Sequence, residues 1–415
     1  MAVTVTETPY MISWARNQNA LTLLCTVGTL QNYAIAARVT VWVNNNNEVT
    51  ERQSEVMVLH PDAQGYVRVP LDLLAGYIPQ PDMPDGQEFA LLTNAVMKYQ
   101  VQYAEMYGSP TPTVRTWRTD SIRYVICGEV AERYARLNMP DWNSGMERPI
   151  VESQNQFMII GEDTGRQVTV RKSQPVYLYG LWYRAGSTSA TLRVNVTITI
   201  VTASGQASMT RAYDVTSGSM YRLDVSPTVL EIEDALYYTI AITSSGGSWS
   251  CTFIVRPDGW NDRYLLLQNK YGVLVPWVCP ELKRELAIEA EALKVGRMRY
   301  NDTTDAYEKY TAQLPMLTSE EARRLARCLG EQYHYIKSGY AWLRIVVEPE
   351  TFTVLEEPEG MVRVQFAFRF VENQMENMSD APRTAGMTFN YDDDVAQEYV
   401  TYSDRTIATN NELYD

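Results

Sequence analysis

The sequence predicts a mainly β protein: two tandem antiparallel β-sandwich domains arising from a duplication, then a smaller α+β domain and an extended C-terminal tail. Three observations predict it. Short segments of alternating apolar and polar residues recur through residues 1–256, punctuated by Pro, Gly and Asn turns. The two halves of that region carry similar segments in the same order. A capped amphipathic helical pattern of any length occurs only after residue 258.

The first sandwich is assigned to residues 1–127. Residues 21–27 are apolar and β-favouring. Residues 38–43 (RVTVWV) put Val39, Val41 and Val43 on one face, and 65–69 (GYVRV) and 97–103 (MKYQVQY) alternate in the same way. Residues 122–127 close the unit. Residues 44–47 are a polar turn tip. Pro79, Pro81, Pro84 and Gly86 make 77–87 a loop, and 108–112 (GSPTP) is another. Residues 128–156 are read as a linker with one short helix, because Val130, Tyr134 and Leu137 have helical spacing and prolines follow at 140 and 149.

Residues 157–257 return to strands, at 167–171, 176–183, 191–201, 221–225, 237–243 and 250–255. They match the first half in order. RVTVWV at 38–43 corresponds to RVNVTI at 193–198, GYVRVPLDLL at 65–74 to MYRLDVSPTVL at 220–230, and KYQVQY at 98–103 to YYTIAI at 237–242. Val39 to Tyr66 and Val194 to Tyr221 both span 27 residues. A tryptophan follows in each half, Trp117 and Trp249, and then a final strand, 124–126 and 253–255.

Residues 258–378 read as α+β. They open with DGWNDRYLLLQNKYGVLVPWVC (258–279), two apolar runs flanking an Asn269-Lys270-Tyr271-Gly272 turn in which Gly272 supplies positive φ. This hairpin marks the change of architecture. Tyr264, Asn269, Tyr271, Gly272 and Trp277 are its candidate assembly residues. ELKRELAIEAEAL (281–293) fits a helix by propensity and a strand by alternation. A helix is expected over 319–337: Thr318 and Glu321 form a capping box, Ala322, Leu325, Ala326, Leu329, Tyr333 and Ile336 share a face, and Gly339 stops it. Strands are expected at 341–347, 352–355 and 361–370, the last with Val362, Val364, Phe366, Phe368 and Phe370 on one side. Residues 379–415 form a polar, acidic arm expected to become ordered on a neighbouring subunit, with Phe389, Tyr391, Tyr399, Tyr402 and Tyr414 as contact residues.

The chemistry of the side chains points away from catalysis. There are two histidines, His60 and His334, and neither sits in a nucleophile context; GxSxG, GxxxxGK[ST] and GxGxxG are all missing. Asp392–Asp393–Asp394 lacks the alternation and glycine of a calcium loop and reads as a solvated run. No cofactor, metal or catalytic residue is expected. A net charge of −14 disfavours attraction to DNA or anionic lipid. Five scattered cysteines (Cys25, Cys127, Cys251, Cys279, Cys328) read as reduced buried thiols. The N-terminus lacks the build of a signal peptide and no apolar run approaches a membrane span, so synthesis in a cytoplasm is expected.

Residues 263–277, RYLLLQNKYGVLVPW, resemble a segment that recurs in uncharacterised virion structural proteins of phages and prophages of Bacteroides-like bacteria. In those proteins an apolar strand, an Asn-x-aromatic-Gly or Asn-x-x-Gly turn and an aromatic strand occupy this slot. ISWARNQNALTLLCT (12–26), LTSEEARRLARCL (317–329) and FAFRFVENQMEN (366–377) are similar to the same group. The resemblance implies a structural role in a tail, baseplate or tail tip, in the virion, with other copies of the chain and other virion proteins as partners. It implies no catalytic residues, and it favours a strand at 281–293. Two other readings stand beside it. One is a receptor- or glycan-binding adhesin that recognises a host-surface glycan, with Trp42, Trp117 and Trp182 as candidate platforms. The other is a wall hydrolase, which two histidines and no motif count against.

Overall fold

A computed structural model describes residues 3–371, except 10–11, 18, 27–29, 46–47, 130–155, 161–166, 184–189, 245–246, 296–297, 340 and 357–359. The helix expected around 130–137, most of the linker at 128–156 and the arm at 379–415 with its five aromatic residues lie outside the described residues. The described chain is mainly β. It divides into two compact units: Met1–Asp258 with Gln268–Val275, and Gly259–Leu267 with Pro276–Asp415.

The first unit contains two sandwiches. The strands of the first are β1 (Val3–Glu7), β2 (Ile12–Trp14), β3 (Ala20–Cys25), β4 (Ala34–Asn45), β5 (Glu48–Gln53), β6 (Met57–Leu59), β7 (Tyr66–Pro70), β8 (Phe89–Leu92), β9 (Val96–Tyr107), β10 (Thr113–Val114), β11 (Arg118–Thr119) and β12 (Arg123–Ile126). Those of the second are β13 (Gln156–Ile160), β14 (Gln167–Arg171), β15 (Tyr177–Tyr183), β16 (Thr191–Thr202), β17 (Gly205–Thr216), β18 (Ser219–Asp224), β19 (Tyr237–Ser244) and β20 (Gly247–Arg256).

In the first sandwich, sheet β1-β3-β7 faces sheet β2-β12-β9-β4-β5. The alternation of RVTVWV buries Val39, Val41 and Val43 against Leu21, Leu23, Val67 and Val69 of the facing sheet. In the second, β13-β15-β18 faces β14-β20-β19-β16-β17, and Val194, Val196 and Ile198 play the same part against Leu178 and Leu223. Strand order and direction agree throughout. β2 runs parallel to β12 as β14 does to β20, and the other matching pairs are antiparallel. This is an immunoglobulin-type order. The second copy also has the matching tyrosine corner: Tyr238, near the start of the penultimate strand, donates its hydroxyl to the Val225 carbonyl at 2.7 Å.

The correspondence holds strand for strand but not residue for residue. Tyr66 points outward and is 41% exposed, whereas Tyr221 points into the core and is 8% exposed. Side chains alternate along a strand, so the equal 27-residue spacing joins positions of opposite facing. Trp117 lies between β10 and β11, while Trp249 lies within β20, so these two are not equivalent either.

One strand crosses over. β8 follows the proline-bearing loop of the first sandwich, yet it pairs with β18 and extends the second sandwich's smaller sheet. Residues 1–127 are therefore not self-contained. Phe89 explains the attachment: it stacks on Tyr213 at 4.1 Å and on Tyr221 at 5.0 Å. The loop itself is clamped by Arg222, only 2% exposed, which donates to the Met83 carbonyl at 3.1 Å and pairs with Asp85.

The second unit is a seven-stranded sheet with one helix. Its strands are β21 (Arg263–Gln268), β22 (Leu274–Cys279), β23 (Glu281–Val295), β24 (Met298–Leu317), β25 (His334–Ser338), β26 (Ala341–Glu356) and β27 (Val362–Phe370), in the order β22-β21-β25-β26-β27-β24-β23. Residues 281–293 are strand: β23 pairs with β24 from Glu281↔Gln313 to Val295↔Met298. β24 itself has too irregular a pattern to be read from sequence.

The expected helix is shorter than 319–337. Helix α1 spans Ser319–Leu329, with the capping box in place: Thr318 N–H donates to Glu321 Oε2 at 2.7 Å, and Glu321 N–H to Thr318 Oγ1 at 3.2 Å. It buries Ala322, Leu325, Cys328 and Leu329. Gly330 ends it, and Tyr333 and Ile336, read as its last turns, belong to the approach to β25 and to β25 itself. Pairing of β25 with β21 and β26 overrides local helical spacing there.

All five cysteines are buried and none is in a disulfide. His334 is 2% exposed, and burial pushes its pKa down to about 4. The folded pKa lies below the unfolded value, so the contribution to stability is complete above pH 6.5 and is lost as pH falls towards 4. Urea unfolding between pH 7 and pH 4 should show a loss of roughly 3 kcal/mol from this group, and His334→Gln should flatten that part of the profile.

Candidate functional site

The most constructed place in the molecule is the tip of the β21–β22 hairpin. Asn269 builds the turn. Its backbone N–H donates to the Val273 carbonyl at 2.9 Å, and its carbonyl accepts from Gly272 N–H at 2.9 Å. Its side-chain oxygen accepts from the backbone N–H of Tyr271 at 3.0 Å and of Val273 at 3.3 Å. Gly272 has φ of +79°, as the turn requires.

The tip is seated between the two sandwiches. A third apolar core joins Trp14, Ile126 and Tyr124 of the first sandwich, Leu92 of the crossing strand and Ala95 just after it, Tyr179, Leu181 and Met220 of the second, and Val273 of the tip. Tyr271 packs at 5.5 Å on Trp14. The Tyr179 hydroxyl donates to the Leu274 carbonyl, and burial pushes the Tyr179 pKa well up, so the phenol stays a donor.

Two glycines allow this seating. A Cβ on Gly272 would lie 2.0 Å from the Cys127 carbonyl oxygen, and one on Gly128 would lie 2.3 Å from the Lys270 carbonyl oxygen. The backbones are in direct contact, and Glu129 N–H donates to the Lys270 carbonyl at 2.6 Å. Lys270 and Glu129 add an ion pair.

The hairpin residues expected to meet other subunits are thus engaged within their own chain. Tyr264, Asn269, Gly272 and Trp277 are buried, and Tyr271 is half-buried against Trp14. The candidate glycan platforms fare no better. Trp182 is 1% exposed, Trp42 is half-buried, and Trp117 is half-buried with the Arg38 guanidinium 4.4 Å from its ring.

Among the described residues the most exposed large aromatic side chain is a different one. Trp260, in the DGWND turn, is 98% exposed. Beside it in sequence, Asn261 helps to line a cleft of about 350 Å³ with Arg263, Glu281, Lys283, Arg284 and Tyr310, all in the second unit. Local pattern gave no sign of this, since exposure of a turn residue is set by what packs around it. Among the described residues, no group of three or more His, Cys, Asp or Glu could hold a metal ion.

No protein-family model matches the chain, and no curated protein does. Among solved structures, one described as "Anomalous substructure of Titin-A168169" matches with 9% identity and a TM-score of 0.21, covering 62% of this chain and 100% of that chain. A superposition that weak bears on neither function nor site.

Gly272→Ala and Gly128→Ala should each lower stability by at least about 2 kcal/mol, through positive φ in the first and backbone collision in both. Gly76→Ala, where a Cβ meets nothing within 4 Å, should be nearly neutral. Denaturant midpoints of the three variants check this; equal midpoints would show that the tip is not seated as described.

Proposed function

We propose that this chain is a structural subunit of a phage tail, baseplate or tail tip, carried in the virion and acting through contacts with other copies of itself and with other virion proteins. The sequence resemblance suggests the setting. The observation that carries the reading is the β23–β24 ribbon. β24 pairs with β27 only over its final residues, Tyr310 to Leu317, whereas its pairing with β23 continues to Met298. Among the described residues, the far part of this hairpin is therefore two-stranded. An isolated two-stranded ribbon is marginal in water, and its free edges are templates for a further chain. A subunit that completes its sheet on a neighbour has use for such a ribbon.

The test is the mass of the purified full chain by light scattering across concentration, followed by electron microscopy. The reading expects a closed ring or a concentration-dependent oligomer. It also expects that replacing 286–307 with a short turn leaves a monomer with the two sandwiches still folded. A strict monomer at every concentration, or unchanged assembly without the ribbon, contradicts it.

A further inference from the structure

The sheets of the first unit end in short strands, with one exception. Among the described residues, no edge strand of that unit other than β17 is longer than six residues. β17 runs for twelve. Sheets ordinarily blunt an exposed edge by keeping it short or by placing charge, proline or a bulge on it. β1 is short and irregular at Val5/Glu7, β5 turns Glu51 and Arg52 to solvent, and β7 ends on Pro70. β17 has none of these devices. It pairs with β16 without a break from Thr216↔Thr191 to Gly205↔Thr202, and it contains no proline. Its two charged residues are already matched, Arg211 with Glu88 and Asp214 with Arg193 at 3.9 Å.

The direction of the open backbone groups follows from Thr216. Its N–H turns away from β16 and donates to the Tyr221 hydroxyl at 3.0 Å. Backbone direction alternates along a strand, so Gln206, Ser208, Thr210, Ala212 and Asp214 also aim their N–H and C=O groups away from β16. No described strand pairs with this side of β17, and all five residues are exposed. Apart from Asp214 their side chains are uncharged. A strand laid alongside gains a row of main-chain hydrogen bonds and buries no unmatched charge.

We propose that this edge receives the β23–β24 ribbon of a second copy of the chain, by strand addition. The inference rests on the subunit reading above and names the surface that the ribbon meets. Two features support the match. The part of β24 outside its pairing with β27, residues 298–309, has as many residues as β17. Each partner also supplies what the other lacks. The ribbon is two-stranded there and marginal in water, while β17 closes a five-stranded sheet with nothing beyond it, so joining them extends that sheet and gives the ribbon a third strand. β17 belongs to the first unit and the ribbon to the second. The contact therefore joins unlike surfaces, and each copy offers one of each. Such head-to-tail contacts close into a ring or grow into a fibre.

The experiment blocks the two surfaces separately. Ser208→Pro removes an outward N–H that the pairing with β16 does not use, and Ala212→Lys puts a charge on the edge without altering the backbone. Each full-length variant is expected to keep the parent's melting temperature and to lose assembly at concentrations where the parent assembles, read by light scattering. The decisive sample mixes Ala212→Lys, whose ribbon is intact, with the chain in which 286–307 is replaced by a short turn, whose β17 edge is intact. Neither assembles alone, and the mixture should give a one-to-one heterodimer by native mass spectrometry. Absence of the heterodimer overturns the proposal. So does normal assembly of both β17 variants, which leaves the subunit reading standing with the ribbon docked elsewhere. A ribbon-replaced chain that dimerises, and loses the dimer on Ala212→Lys, assigns the edge to its own twofold copy and also overturns it. A parent chain that is monomeric at every concentration removes the subunit reading and this inference together.

Discussion

The arrangement of the first unit rests on one close approach: the backbone of Cys127 and Gly128 against the backbone of residues 270–272, with Gly128 on Lys270 and Tyr271 and Gly272 on Cys127. No side chain fits there. Removing both Cβ atoms lets the hairpin tip reach the end of the first sandwich's last strand, make the Glu129-to-Lys270 hydrogen bond, and present Val273 and Tyr271 to an apolar core. That core draws on both sandwiches at once. Without the tip, Trp14, Ile126, Tyr179, Leu181 and Met220 would face a gap on one side, and packing losses of that kind are felt strongly in a close-packed interior. The chain thus returns, after completing two sandwiches, to seal the joint between them.

The crossing strand β8 works on the same joint from the other direction. It leaves the first sandwich, adds to the edge of the second, and is held by Phe89 stacking and by the buried Arg222 reaching back to the proline-bearing loop. An edge that would otherwise offer unpaired backbone groups is covered from within the chain. Two immunoglobulin-type units that could flex about a linker are instead one compact unit.

Strands whose burial follows a simple alternation were legible in the sequence. RVTVWV and RVNVTI declare their inward valines, and the turn chemistry of Asn269 and Gly272 declares a hairpin. The capping box at Thr318 marked the start of α1 to the residue. What was not legible depends on partners far along the chain. The FALL segment at 89–92 is too short to announce a strand, and only its pairing with β18 makes it one. The end of α1 was misplaced because Tyr333 and Ile336 continue a helical spacing, while the contest between helix and sheet is decided by β21 and β26. β24 carries Asn301, Asp302, Thr303, Thr304 and Asp305 in succession, a run with no alternation to read. The hairpin tip looked like a surface for another subunit because an aromatic, conformationally demanding turn has the same local signature whether its partner is another chain or residue 128. The exposure of Trp260 is illegible for the converse reason, since nothing local distinguishes an exposed indole from a buried one.

Hydrogen exchange with mass spectrometry on the full chain tests the keyed joint most directly. Peptides covering 124–129, 177–183 and 268–275 should exchange slowly and open with a common rate, because the tip and the two sandwich faces form one core. Exchange of 268–275 at the rate of an exposed loop, with the flanking sandwich strands still protected, would contradict the account.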